Sequence, residues 1–171
     1  MHVAGFALLS CIRVNVMSYT LRAATTADIP ILVEHREAMF RAMGVECDYA
    51  AMAIHYGKWL DDAMPSGTYW GCVATFGDGP VVASGGVIVV PWSPGPWQLD
   101  PRNAWIVNVF THPEHRRHGL ARRLMNALHG WCREQGIERT ALNATSVGQP
   151  IYESLGYTLA HEPMMRLGFR D

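Results

Sequence analysis

The sequence predicts an α+β fold in which two early helices precede a central hairpin and a strand–helix–strand–helix–strand tail. Three observations lead to this prediction. The chain has 171 residues, of which 49% are apolar, which is enough to bury one sizeable core. Runs with period-two alternation interleave with runs of helical periodicity. Because the sequence shows no internal repeat, low-complexity tract or convincing linker, we expect one domain.

The composition excludes several classes of function. The formal net charge is −1, so the basic excess that is typical of nucleic-acid binding is missing. No run of ~18 apolar residues occurs, so we expect no transmembrane helix and no membrane partner. We expect a cytoplasmic monomer or homodimer. Four cysteines without C-x-x-C spacing are typical of reduced thiols; they are Cys11, Cys47, Cys72 and Cys132.

We interpret residues 1–17 as an N-terminal extension and residues 18–171 as the domain. Val3–Ile12 is similar to the apolar centre of a signal peptide, but no basic region precedes it and no A-x-A cleavage pattern follows. Arg13 interrupts the apolar run, and Met17 is a second candidate start. A small added strand or helix is the alternative.

The first half of the domain contains alternating and helical patterns that turn signals separate. Thr25 and Asp28 give an N-cap signal for the first helix, and Gly44 ends it. A Gly-Asp-Gly-Pro turn between two β-rich runs predicts a hairpin. The predicted elements are a strand at Tyr19–Ala23, helices at Ile29–Met43 and Asp48–Met64, and strands at Thr68–Phe76 and Val81–Val90.

The second half begins with a rigid aromatic loop, Pro91–Trp97. This loop either lies on the surface with two half-buried tryptophans or forms a wall of a substrate pocket. Gly136 and Gly156 end the two helical patterns that follow. The predicted elements are strands at Ala104–Thr111 and Ile137–Ala144, helices at His118–Gln135 and Gln149–Leu155, and final strands at Tyr157–Ala160 and Met164–Leu167.

The junction between the strand Ala104–Thr111 and the next helix predicts an anion site. The sequence from Arg116 onward is R-R-H-G-L-A, and Gly119 lets the backbone approach a ligand with no Cβ in the way. The amides from Arg117 to Ala121 would point outward at the positive end of the helix dipole, which favours phosphate. The alternative is a helix N-terminus with solvated arginines.

Tyr152, on the predicted short helix, is a second candidate. A phenol can donate a proton to a thiolate that leaves a thioester, because the two groups have similar basicity. The alternative is a packed aromatic side chain with a satisfied hydroxyl. We do not interpret His112, His115 and His118 as a metal site, because the two arginines that follow His115 would repel a divalent cation.

Two motifs together resemble the Gcn5-related N-acetyltransferase (GNAT) superfamily. Arg116-x-x-Gly119-x-Ala121 matches the family's acyl-coenzyme A signature, Gln/Arg-x-x-Gly-x-Gly/Ala. Tyr152-Glu153-x-x-Gly156-Tyr157 matches a second signature, Tyr-Glu-x-x-Gly-Phe/Tyr. The motifs stand in the expected order, joined by helix and then strand, and the resemblance extends from Tyr19 to Leu167.

The resemblance implies an α/β three-layer type of α+β fold, a mixed, twisted central sheet flanked by about four helices. The sheet would splay open between Ala104–Thr111 and Arg139–Ala144. Acetyl-CoA would lie in the opening as co-substrate, with no metal. Its pyrophosphate would bind the Arg117–Ala121 backbone, and its pantetheine arm would bind the free strand edge. The implied cofactor-binding residues are Val109, Phe110, Thr111, Arg116, Arg117, His118, Gly119, Leu120, Ala121, Arg122, Asn143 and Tyr152.

The resemblance also implies roles in the chemistry. Tyr152 would protonate the coenzyme A thiolate as general acid, and a backbone N–H near Val109 would stabilise the oxyanion of the tetrahedral intermediate. Asn108 is the interior polar side chain of its strand and the second candidate catalytic residue. Since the strand has no acid, we expect water-mediated deprotonation of the amine, or a base from the first helices, namely Glu34, His35 or Glu37.

We therefore expect an acetyl-CoA-dependent N-acetyltransferase that acts on a primary amine of a small molecule by direct attack in a ternary complex. The candidate acceptor contacts are Glu34, His35, Trp92 and Trp97, and Glu37 and Asp48 add to the expected acidic character of the pocket. Two alternatives stay open: a non-catalytic acyl-CoA-binding or sensing module, and acetylation of a protein or peptide N-terminus.

Overall fold

A five-stranded sheet forms the centre of the fold, with helices on both faces. The computed structural model describes residues 18–96, 98–161 and 165–168. The strands are β1 (Tyr19–Ala23), β2 (Tyr69–Phe76), β3 (Val81–Pro91), β4 (Arg102–Thr111) and β5 (Thr140–Leu142). The helices are α1 (Ile29–Ala42), α2 (Tyr49–Ala63), α3 (Leu120–Glu134) and α4 (Gln149–Glu153). The predicted α+β class and its four helices are confirmed.

The sheet is mixed. Its order is β1-β2-β3-β4-β5; the first three pairings are antiparallel, and β4 pairs with β5 in parallel. The predicted hairpin is the β2–β3 pair. The parallel pair requires a crossover, and α3 supplies it.

Alternation along β2 shows how the layers are divided. Tyr69 and Val73 point to one face and pack with α1 and α2, whereas Cys72 and Ala74 point to the other and pack with α3. One side of α3 is almost completely buried against that second face of the sheet; its residues are Leu120, Leu124, Met125, Leu128 and Cys132. The sheet therefore lies between two helical layers.

The sheet opens between its last two strands. β4 and β5 pair only from Ala104–Thr140 to Ile106–Leu142, and beyond these residues they separate. The rest of β4 continues to Thr111 with β3 on one side. The predicted splay is confirmed, and it leaves one edge of the second half of β4 without a strand neighbour among the described residues.

Three strand predictions are wrong. The strand predicted at Ile137–Ala144 is shorter, because the Ile137 N–H donates to Cys132 O and ties this end to α3. The segment Tyr157–Ala160 is not a strand, because the Tyr157 hydroxyl hydrogen bonds to Thr140 and His129 and holds the chain beside α3. Residues 165–167 are also irregular, and Met165 is 92% exposed, so they pack on no strand that the structure describes.

Three predictions concern residues outside the described ones. These are the N-terminal extension, residues 1–17, the acceptor contact Trp97 and Met164 of the predicted final strand. Within the described part of the chain, no helix is both long and apolar enough to cross a membrane.

Candidate active site

A β-bulge in the middle of β4 determines which backbone groups face the open edge. Ser84 pairs with Phe110 and Gly86 with Val107, so Gly85 alone opposes Asn108 and Val109. Asn108 has φ of 55°, in the left-handed region that asparagine tolerates better than most residues. Because of this extra residue, the backbone N–H and C=O groups that point towards β3 belong to odd-numbered residues before the bulge and to even-numbered residues after it.

The hydrogen bonds on either side of the bulge show this reversal. Before the bulge, the Ala104 N–H donates to Arg139 O, so the backbone N–H and C=O groups of even-numbered residues face β5. After it, the His112 N–H donates to Val82 O on the β3 side, so the N–H and C=O groups of Val109 and Thr111 face the opening. The free edge predicted for these residues is therefore backbone that points into open space.

A cleft of about 1140 Å³ occupies the opening. Its walls are the free edge of β4, the start of α3, the β5–α4 segment and one face of α1. Twelve predicted site residues line it: Asn108, Val109, Phe110, Thr111, Arg116, Arg117, Gly119, Leu120, Ala121, Arg122, Asn143 and Tyr152. His118 does not line the cleft, because its ring turns back to hydrogen bond with the carbonyl oxygen of Arg116.

The loop before α3 presents unused amides to the cleft. Arg117 and Gly119 have φ of 66° and 74°, so the chain makes a left-handed turn before the helix begins at Leu120. The first intrahelical bond runs from the Arg123 N–H to Gly119 O, so the amides of Leu120, Ala121 and Arg122 have no helical acceptor. A Cβ built on Gly119 meets nothing within 4 Å. These features suit an anion in close contact with the backbone.

Arg116 and Arg122 connect this loop to its surroundings. The Nε of Arg116 donates to Thr111 O at 3.2 Å, which holds the arginine along the free strand edge. The Nη2 of Arg122 donates to the Ser154 hydroxyl at 2.7 Å and joins the start of α3 to the end of α4. The two arginines thus add positive charge beside the free amides.

Tyr152 faces the cleft from α4, opposite the free edge of β4. Its half-buried ring packs edge-on against Tyr157, with 6.1 Å between ring centroids. The Tyr157 hydroxyl lies 2.8 Å from both Thr140 Oγ1 and His129 Nε2, and this fixes the end of α4 to β5 and α3. Burial raises the pKa of Tyr152, so its phenol keeps its proton at neutral pH.

Asn108 is held by two side chains from the helices on the other side of the cleft. Its Oδ1 accepts from Arg36 Nη1 at 2.6 Å, and its Nδ2 donates to the Tyr56 hydroxyl at 2.7 Å. The Arg36 guanidinium also lies over the Tyr56 ring, 4.5 Å from its centroid. The side chain of Asn108 therefore fixes the bulge to α1 and α2.

The predicted acceptor contacts that the structure describes do not line the cleft. Glu34 is exposed on the outer face of α1, beside Glu37, which forms an ion pair with Arg41. Asp48 caps α2 by accepting from the Ala51 N–H. Trp92 is 52% exposed in the loop after β3, and Trp97 lies outside the described residues.

His35 is a core residue. It is 3% exposed, its Nδ1 lies 2.8 Å from Ser84 Oγ, and its ring packs on Phe110. Burial, and secondarily the charge of His112, lowers the pKa of His35 to about 4, so it is neutral at physiological pH. An acceptor cannot reach this ring without unfolding the layer that covers it.

The sequence analysis missed the α1 wall of the cleft. Arg36, Met39, Phe40 and Met43 line it together. These positions are three, four and seven residues apart, which is the spacing of one helix face. This spacing was the available signal, but periodicity alone does not distinguish a helix face that packs on the core from one that lines a cleft.

A mixed sheet that opens beside a helix N-terminus defines an acetyltransferase-type α+β fold. A family model described as the acetyltransferase (GNAT) family matches residues 31–157, and the chain belongs to this family. A GCN5-related N-acetyltransferase from Ralstonia eutropha JMP134 is 32% identical, with a TM-score of 0.81 over 88% of this chain and 99% of that chain.

Two more distant structures share the fold. A predicted acetyltransferase with acetyl-CoA from Clostridium acetobutylicum is 20% identical, with a TM-score of 0.82 over 88% of this chain and 96% of that one. Glucosamine-6-phosphate N-acetyltransferase from Arabidopsis thaliana is 15% identical, with a TM-score of 0.63 over 88% and 98% of the two chains. No curated protein sequence matches the chain.

Proposed function

We propose that the protein transfers an acetyl group from acetyl-CoA to a primary amine of a small molecule. The observation on which this rests is that one cleft joins the free edge of β4, the unused amides before α3 and the Tyr152 phenol. The family and the Clostridium structure with acetyl-CoA support the choice of donor.

In this proposal the amides of Leu120 and Ala121, with Arg116 and Arg122, hold the pyrophosphate of the cofactor. The backbone groups of Thr111 and Val109 pair with the amides of the pantetheine arm, as an added strand would. The thioester then lies beside the bulge. Asn108 acts as a positioning residue, because its left-handed conformation directs the Val109 N–H towards the carbonyl oxygen.

The reaction is a direct displacement. The amine nitrogen attacks the thioester carbon, and the Val109 N–H stabilises the oxyanion of the tetrahedral intermediate. The carbon–sulfur bond breaks as Tyr152 donates its proton to sulfur, giving the amide and free coenzyme A. Since no aspartate or glutamate is among the described residues that line the cleft, water removes the proton of the amine, and the phenolate of Tyr152 regains a proton from solvent.

The test is coenzyme A release over a panel of amino acids, polyamines, aminoglycosides and short peptides. Tyr152→Phe should lower kcat roughly 10²- to 10⁴-fold with unchanged acetyl-CoA affinity, which is the range that a general acid contributes. Tyr49→Phe is the matched control, because this tyrosine lies on α2 outside the cleft, and it should leave kcat unchanged.

Three outcomes would contradict the proposal or part of it. Unchanged kcat in Tyr152→Phe would show that Tyr152 is not the acid. Acetyl-CoA binding without coenzyme A release for any acceptor would favour the non-catalytic binding module instead. Release with peptides alone would favour the peptide N-acetyltransferase.

A further inference from the structure

We propose that Arg36 is the anion-binding residue of the acceptor site, and that the acceptor is a primary amine that also carries a carboxylate. This inference rests on the acetyl transfer proposed above and names the class of its acceptor. It replaces the acidic pocket that the sequence suggested.

The charge of the cleft is the first observation. Among the described residues that line it, none is an aspartate or a glutamate, and five are arginines: Arg36, Arg116, Arg117, Arg122 and Arg166. Arg116 and Arg122 face the phosphates of the proposed cofactor, whereas Arg36 lies on the α1 wall. A polyamine or another multiply cationic acceptor would find no carboxylate among these lining residues to pair with. An acceptor with an anionic group would meet attraction.

The surroundings of Arg36 are the second observation. Its Nη1 donates to Asn108, its guanidinium lies over the rings of Phe40 and Tyr56, and its Nε is buried with no hydrogen-bond partner. None of the ion pairs of the described residues includes Arg36. By contrast, Arg41 on the same helix pairs with Glu37 at 2.7 Å. The buried Nε is out of reach of a ligand, so the part of the guanidinium that can meet an anion is the part that lines the cleft. A carboxylate there would offset the charge of a partly buried cation that has no acidic partner.

The position of Arg36 separates it from the phosphates of the cofactor. Arg116 and the free amides lie at the Thr111 end of the open edge, whereas Arg36 is bonded to Asn108 at the other end. Three residues of extended strand separate these ends, roughly 10 Å. Arg36 therefore lies beside the acyl end of the proposed cofactor. One small amino acid can reach the thioester with its amine and the guanidinium with its carboxylate.

The geometry favours a carboxylate over a phosphate. Arg36 is a single cation with one side already bonded to Asn108. Phosphate sites combine several donors, as the loop before α3 does, whereas one guanidinium is sufficient for a carboxylate.

The experiment compares L-amino acids with their amides, which have the same side chain and amine but no carboxylate. The wild-type protein should turn over the acids with a KM about 10- to 100-fold lower than that of the amides, the factor expected for a charge-assisted hydrogen bond. Arg36→Gln should raise the KM of the acids by that factor relative to the KM of the amides. Because the variant also loses the hydrogen bond to Asn108, kcat should fall for acids and amides alike, so the ratio of their kcat/KM values is the readout; acetyl-CoA affinity should be unchanged. Arg36→Lys should keep part of the preference for acids over amides, because lysine retains the positive charge.

Arg41→Gln is the control on the same helix, because Arg41 lies outside the cleft, and it should change neither KM. If the amides are equally good acceptors, or if Arg36→Gln affects acids and amides equally, coenzyme A release still supports acetyl transfer and this inference is wrong. If no amine releases coenzyme A although acetyl-CoA binds, the proposed function itself fails.

Discussion

Asn108 combines two contributions that a pair of substitutions can separate, namely its backbone conformation and its side-chain hydrogen bonds. Asn108→Gly removes the bonds to Arg36 and Tyr56 but keeps the positive φ accessible. Asn108→Ala removes the same bonds and also forces a Cβ into the left-handed region. The difference between the variants therefore reports the cost of the bulge conformation.

The two hydrogen bonds of Asn108 determine the expected losses of unfolding free energy. The bond from the charged Arg36 contributes about 1.5–3 kcal/mol and the neutral bond to Tyr56 about 0.5–1.5 kcal/mol, so the glycine variant should lose about 2–4 kcal/mol of unfolding free energy. The alanine variant should lose a further ~1–2 kcal/mol, the left-handed penalty for a residue with a Cβ.

Urea denaturation of the wild type and both variants, followed by circular dichroism, measures these values. If the alanine variant is as stable as the glycine variant, the positive φ does not constrain this position. If both variants are within ~0.5 kcal/mol of the wild type, the two hydrogen bonds contribute nothing to stability.

Two further predictions concern the layer between the sheet and the helices. Gly86→Ala should destabilise the protein by about 3 kcal/mol, because a Cβ there would overlap the hydroxyl and ring of the buried Tyr69. Gly130→Ala is the control and should be neutral or stabilising, because a Cβ there meets nothing within 4 Å. A Gly86→Ala protein with unchanged Tm would refute the packing described. The pKa of His35 is lowered from 6.5 to about 4 in the folded protein. Between these two pH values the imidazole is protonated in the unfolded chain but neutral in the folded protein, so acid favours unfolding. The unfolding free energy should therefore fall by up to ~1.4 kcal/mol per pH unit as the pH drops from 6.5 to 4. His35→Gln should reduce this slope, and an identical slope would show that another group is responsible.

Local signals in the sequence were sufficient for the four helices, for the first four strands and for one end of the site. The helices begin and end within a few residues of the predicted positions, because caps and glycines are read from neighbouring residues. The loop from Arg116 to Ala121 was found for the same reason, since its turn, its charges and its helix are contiguous. The two motifs then placed Tyr152 in the same cleft.

The missed features depend on partners distant in the chain. The bulge at Asn108 arises from its register with β3, and the burial of His35 depends on Ser84 and Phe110 in two different strands. The polar character of His35 suggested exposure, but a hydrogen bond within the core satisfies it. Likewise, Arg36 became a candidate only when the structure showed a cation with no carboxylate beside it.

The reversal of β4 at its bulge has a consequence for how such a protein can diverge. In the proposed complex the donor is recognised by main-chain groups of Val109 and Thr111, which every amino acid other than proline supplies. Side chains on this strand then take no direct part in recognising the donor, although the core still constrains Ala104, Ile106 and Phe110, and the face of α1 can change the acceptor by itself.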